Sequence, residues 1–217
     1  MTRWTFSTLA LALLSFGLCG SLASAQTTSD PQAFDQGRVV TGERAVLPYR
    51  DRIAPENAMT RDRLENLLPE LMAETGLDMW LVINREYAED PVYFSLVPQP
   101  AFAARRTTIL VFHRHADGFD MMTVNRYPLG EPYQAVWEGG DLDEQWAALG
   151  ALIAEKDPEP IGINVSADWP VADRLTHGLP AKLVTVLPHH LHNRLVSAEA
   201  PVIRWHEHRR PGATEAF

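Results

Sequence analysis

Apolar residues recur at steps of three and four from Leu64 onward: Leu64, Leu67, Leu68, Leu71 and Met72. That spacing lines one face of a helix. Pro69 lies inside the run, where it removes one backbone bond, and this predicts a kink near Glu65. Gly76 is placed to end the helix. The period then changes. DMWLVIN (78–84) is a short apolar run with Trp, Val and Ile and reads as a buried strand. TTILVFH (107–113) and FDMMTVN (119–125) read as two more. Asp117-Gly118 between them is a turn signal, so the two are expected to form a hairpin.

The clearest helix is DLDEQWAALGALIAEKDP (141–158). Asp141 can cap it, and Glu144, three residues on, can return the bond as a capping box. Leu142, Trp146, Leu149 and Ile153 form the expected buried stripe. Lys156 suits the C-terminal dipole and Pro158 stops the run. IGINV (161–165) and LVTVL (183–187) read as strands, DWPVADRLTHGL (168–179) as a short helix, and HHLHNRLVSAEA (189–200) as helical. Residues 85–106, with their prolines and scattered aromatics, read as a loop with helical turns. Strands joined through helices imply α/β crossovers, and the hairpin makes the sheet mixed. The expected fold is α/β, with a mixed sheet of about five or six strands flanked by helices.

Ahead of this pattern lies a different kind of sequence. Arg3, an apolar run through Leu18 and the small-residue pattern Ala23-Ser24-Ala25 read as a cleaved signal peptide over 1–25. Its apolar stretch is short for a bilayer span, which needs about 20 residues. The chain is therefore expected to be exported, periplasmic or secreted, with no stable membrane anchor after cleavage. Cleavage would remove Cys19, the single cysteine, leaving no disulfide or thiol chemistry. Residues 26–57 read as an extended polar leader. The net charge of −9, with lysine only at 156 and 182, argues against a nucleic-acid partner.

The chain lacks the sequence signatures of common catalytic devices. It has no G-x-S-x-G elbow, no phosphate-binding glycine loop and no H-E-x-x-H. The cluster His189, His190 and His192 reads as a solvated surface group, and His113 and His115 as part of a surface turn. HEH (206–208) has the wrong spacing for two ligands on one helix face. Asp141, Asp143 and Glu144 are explained by helix capping. Glu86, Glu89 and Asp90 surround Tyr87 and could line a polar pocket. Arg105 and Arg106 could hold a carboxylate, with salt bridging inside the domain as the alternative. Tyr87, Arg105 and Arg106 are the substrate-facing candidates. Asn164-Val165-Ser166 matches a glycosylation sequon at the end of an expected strand.

Several stretches in order carry a family resemblance: LENLLPELMAETGLDMWLVINREYAEDPVYFSLVPQPAFAARRTTILVF, then VNRYPLG, VWEGGDLDEQWAALGALIAE, IGINVSADW and RWHEHRRPGATEAF. Together they resemble the N-terminal domain of pita-bread metallopeptidases, the group of Xaa-Pro aminopeptidase, prolidase and creatinase. The resemblance covers about residues 58–217. It implies a non-catalytic creatinase-type domain over 58–200, with 201–217 starting the linker toward a catalytic domain that the matched part does not reach. Within the family the N-terminal domain shapes substrate access and oligomer contacts. Two divalent metal ions are implied for that catalytic domain, and no cofactor, catalytic residue or metal ligand for this chain. Implied partners are a catalytic metallopeptidase chain or a homo-oligomer. Val202, Ile203 and Trp205 are the expected edge of an interdomain face. Arg210 before Pro211, Gly212 and His206 depart from the family pattern at this junction. A free-standing periplasmic binding module for a peptide or small molecule is the alternative.

Overall fold

A computed structural model describes residues 47–209. The signal segment and most of the leader lie outside the described residues, as do residues 210–217. The chain opens with helix α1 (Tyr49–Asp62), so the helix starts well before the periodic leucines. None of the α1 residues is buried, which is why the hydrophobic pattern does not reveal it. Next comes one π turn (Arg63–Leu67) and then α2 (Leu68–Glu74). The π turn falls where Pro69 denies its N–H to Glu65, and the Leu68 N–H reaches back to the Arg63 carbonyl instead.

The remaining elements are β1 (Met79–Arg85), α3 (Pro91–Leu96), β2 (Thr107–His115), β3 (Gly118–Val124), β4 (Gln134–Ala135), α4 (Leu142–Lys156), β5 (Ile161–Ile163), α5 (Gly178–Val186), a 3₁₀ turn (His189–Arg194), β6 (Leu195–Ser197) and α6 (Glu199–Glu207). The six strands form one mixed sheet in the order β4-β3-β2-β1-β5-β6. β1, β2 and β3 run antiparallel in turn, while β1, β5 and β6 are parallel. The expected α/β architecture is the one observed. No described helix is long and apolar enough to cross a membrane.

Alternating side chains divide the core into two layers. Trp80, Val82, Leu110 and Phe112 face α2, α3 and α6. Met79, Leu81, Ile83, Ile109, Val111, Met122 and Val124 face α4, α5 and the 3₁₀ turn. The capping box forms as expected: the Asp141 carboxylate accepts from the Glu144 N–H at 2.8 Å, and Glu144 accepts from the Asp141 N–H at 2.8 Å. Leu142 differs from the expectation. At the first turn it is half exposed, and Gln145 takes the inward position. Gln145 donates to the carbonyls of Val124 (2.7 Å) and Thr107 (3.0 Å), tying the helix to β2 and β3.

LVTVL (183–187) is helical rather than a strand. Its β-branched residues suggest a strand, but Leu179, Leu183 and Leu187 recur at four-residue steps and are all buried. Packing of α5 on α4 decides the matter. A Cβ at Gly150 would stand 2.4 Å from the Val186 carbonyl oxygen, so the helices meet where a side chain is missing. The stretch 168–177 forms turns, and the helix begins only at Gly178.

The segment expected to rim an interdomain face folds inward. Val202 and Trp205 are fully buried, and Ile203 is half-buried. α6 lays this stripe against α2 and α3; the Trp205 indole donates to Ser95 Oγ of α3 at 2.8 Å, and the Arg63 guanidinium of the π turn stacks over its ring at 4.1 Å. Steps of three on a helix put Val202 and Trp205 on one face, and that face belongs to the domain's own core.

Candidate functional site

The carboxyl end of β1 leads into 86–90, and the amino end of β2 follows 97–106. These two loops meet beside the sheet. The Glu86 N–H donates to the Arg106 carbonyl (2.7 Å), and the Arg106 N–H donates to Glu86 Oε2 (3.0 Å). Glu89 Oε1 accepts from the Ala104 N–H (3.1 Å). Glu86 and Glu89 therefore hold backbone N–H groups and do not line a pocket around Tyr87. The same junction stores strain. Tyr87, Arg105 and Arg106 have φ of 68°, 36° and 65°, a region side chains rarely occupy. Such residues cluster at functional sites, where surrounding structure holds them in place.

Beneath this junction runs a buried polar chain. The Trp80 indole donates to Asn164 Oδ1 (2.7 Å), Asn164 Nδ2 donates to Asp90 Oδ2 (2.6 Å), and Asp90 Oδ1 accepts from the Val92 N–H (3.0 Å), capping α3. The Asp90 N–H donates to Asn84 Oδ1 (2.9 Å). Burial pushes the Asp90 carboxyl above its ordinary range, against the opposing pull of Asn164, the Val92 N–H, Arg174 and His206. His206 is held below the usual imidazole range by burial and by Arg63. Asn164 is buried, so the sequon offers no accessible amide in the folded chain.

A cavity of about 180 Å³ opens alongside, lined among others by Tyr93, Phe102, Arg105, Thr108, Asn125 and Tyr127. Arg105 stacks over the Tyr127 ring at 4.7 Å. Phe102 is 80% exposed although it is a large apolar side chain. Asn125 is buried; its Nδ2 donates to the Tyr127 carbonyl (2.6 Å), while its Oδ1 has no partner. Burial, with the Glu89 charge adding to it, pushes the Tyr93 phenol up to about 12, so it stays a protonated donor, directed at the Ala103 carbonyl. The cavity thus offers a cation and aromatic walls, while the unpaired Asn125 oxygen is itself buried. Its lining contains no carboxylate and no imidazole.

The chain matches no family model, no curated protein and no solved structure to which it was compared.

Of the three substrate-facing candidates, Arg105 lines the cavity. Tyr87 is 94% exposed on the adjoining turn and Arg106 is exposed beside it; neither lines the cavity. Neither arginine forms an ion pair among the described residues, so internal salt bridging does not account for them. Sequence reasoning missed Phe102, Asn125 and Tyr127. Phe102 lies within the stretch read as a loop and Asn125 ends a segment read as a strand, and nothing in their spacing brings them together.

The histidines fall into separate groups. His189 and His192 approach with ring centroids 5.1 Å apart, His192 contacts the Leu187 carbonyl (3.0 Å), and His190 stands 3.8 Å from Asp157. At the hairpin, the rings of His113 and His115 stack at 5.2 Å, and Asp120 lies across from them on β3. Asp120 Oδ2 is 3.6 Å from His113 Nδ1, Asp120 Oδ1 is 3.5 Å from His115 Nε2, and the Lys156 ammonium is 3.1 Å from Oδ2. Burial lowers the His113 pKa, with Asp120 opposing it; at 3.6 Å that contact is electrostatic, too long for a hydrogen bond. For Asp120, partial burial is outweighed by Lys156 and the histidines, which hold the carboxyl below its ordinary range. The expectation of a plain surface turn therefore misses a grouped donor set. His113 is buried, because the β2 stripe that carries Ile109 and Val111 continues through it.

Proposed function

We propose that this chain is a non-catalytic, exported domain of a Xaa-Pro peptidase-like metallopeptidase, which recognises part of a peptide and shapes its access to a catalytic domain. The cavity at the loop end carries this reading. Arg105 offers paired N–H donors suited to a carboxylate. Phe102 and Tyr127 offer faces for a prolyl or other apolar ring. General acid–base work would call for an imidazole or carboxylate in that lining. The mixed sheet with helices on both faces is compatible with the resemblance in the sequence. The self-contained cavity also favours a second reading, a free-standing peptide or small-molecule binding module.

The test uses the full chain with an Xaa-Pro peptide bearing a free carboxylate, followed by calorimetry, with hydrolysis measured in the same samples. Binding without turnover is expected, weakened about tenfold or more by Arg105→Ala, as loss of a charge-assisted pair implies. Turnover by the purified chain, or affinity unchanged by Arg105→Ala, would sink the proposal. Supplying a separate metallopeptidase catalytic domain then divides the two readings: the first expects its peptidase activity to change, the second expects no effect.

A further inference from the structure

We propose that the β2–β3 hairpin end is a binding site for a divalent transition-metal ion, held by His113 Nδ1, His115 Nε2 and the Asp120 carboxylate. The strand period of two puts His113 and His115 on one face of β2, and the register sets His113 directly opposite Asp120. The three donor atoms all lie within 4.8 Å of one another. In a tetrahedral site with metal–ligand bonds of about 2.0–2.2 Å, donor atoms stand about 3.4 Å apart. The two carboxylate–imidazole separations, 3.6 and 3.5 Å, are close to that value and long for hydrogen bonds. Each Asp120 oxygen faces one imidazole.

A second observation is independent of the residue types. His113 is only 6% exposed, and its Nδ1 is buried without a hydrogen-bond partner. A buried polar atom left unpaired is costly and calls for an explanation. Here that nitrogen is aimed at the cluster, and a metal ion is the partner that would satisfy it. Two imidazoles and one carboxylate suit zinc, cobalt, nickel or copper better than magnesium or calcium. Three protein ligands leave a fourth position for water or an exogenous donor.

Lys156, from the last turn of α4, competes for the site. Its ammonium contacts Asp120 Oδ2, the oxygen nearest His113. Metal uptake must displace it, and the side chain is long and partly exposed, so it can turn to water. The lysine thus holds positive charge at the carboxylate until an ion replaces it, and removing it should tighten binding.

The experiment titrates the chelator-stripped full chain with Zn²⁺ by calorimetry and with Co²⁺ by visible absorption. One zinc per chain and a four-coordinate cobalt spectrum are expected. His115→Ala and Asp120→Asn should each weaken zinc roughly tenfold or more, in the range that loss of metal-site contacts produces. Lys156→Met should strengthen it several-fold, and the double variant His189→Ala, His192→Ala should leave it unchanged. Both hairpin substitutions are at partly exposed positions, and circular-dichroism melts confirm that each variant is folded. Zinc uptake that survives both hairpin substitutions, or that is lost only in the 189/192 variant, would overturn the proposal. So would a wild-type chain that takes up no zinc.

Discussion

At the hairpin end of the β1–β2–β3 meander, the donor groups sit on two neighbouring strands within residues 113–120. At the loop end, the polar groups come from Asn84, Asp90, Arg105, Asn125 and Asn164, gathered over half the described chain. Each end has one well-placed aspartate, yet the two do opposite work. Asp90 is buried and accepts hydrogen bonds from its own fold, so its carboxylate is committed to structure. Asp120 is a third exposed, faces imidazoles at distances too long to satisfy them, and is held only by the displaceable Lys156 ammonium at 3.1 Å, so its carboxylate can exchange that partner for another. Satisfied geometry marks a structural group, and under-satisfied geometry marks one available for a ligand.

The largest effect that could break this comparison is at Asp90. Asp90→Asn would turn an amide N–H₂ toward a partner that must already donate, because Asn164 Oδ1 is occupied by the Trp80 indole. A loss of about 2–3 kcal/mol in denaturant unfolding is expected. Asp120→Asn in the absence of metal should cost no more than about 1 kcal/mol, as for a partly exposed ion pair. If the two losses come out equal, the division between the ends fails.

A pH series sharpens the same point. Burial raises the Asp90 pKa in the fold, so the folded chain binds this proton more readily than the unfolded one. Stability from this group is therefore present at low pH and is lost as pH rises through the folded value. The stability difference between wild type and Asp90→Asn should grow as pH falls from neutral toward the ordinary aspartate range. A difference that shrinks over that interval would contradict the assignment. The smallest expected effect is at the strained turn. Tyr87→Gly should stabilise the chain by up to about 1 kcal/mol, since its φ of 68° suits glycine and its side chain is solvent-exposed. A clear loss of stability would show that Tyr87 makes contacts not apparent from its exposure.

How much of this was legible in the sequence follows from how local each feature is. The capping box of Asp141 and Glu144 depends on four consecutive residues and was readable in full. The disturbance before Pro69 was readable for the same reason, although its form, a π turn, was not. LVTVL misled because β-branching favours strands locally, while the fit of α5 against Gly150 is a tertiary fact. β4 and β6, with two and three residues, are too short to show a period. Trp205 reads equally well as core or interface, since both want a large apolar side chain. The hairpin donor set lay closest to legibility: His113 and His115 share a face in any strand, and Asp120 joins it once a two-residue turn is set at 116–117. The cavity at Arg105 could not be read, because it depends on positive φ values at residues that are not glycine.

The sequon at Asn164 acquires an unexpected use from its place in the polar chain. Its amide bonds to Asp90 on one side and accepts from Trp80 on the other, in the interior. A sugar can be attached there only while the chain is still open, and once attached it would block the closure of β5 against β1. Produced in a host that glycosylates its exported proteins, the chain would carry its own stopwatch. The fraction modified at Asn164 would record how slowly this strand pair shuts across the population.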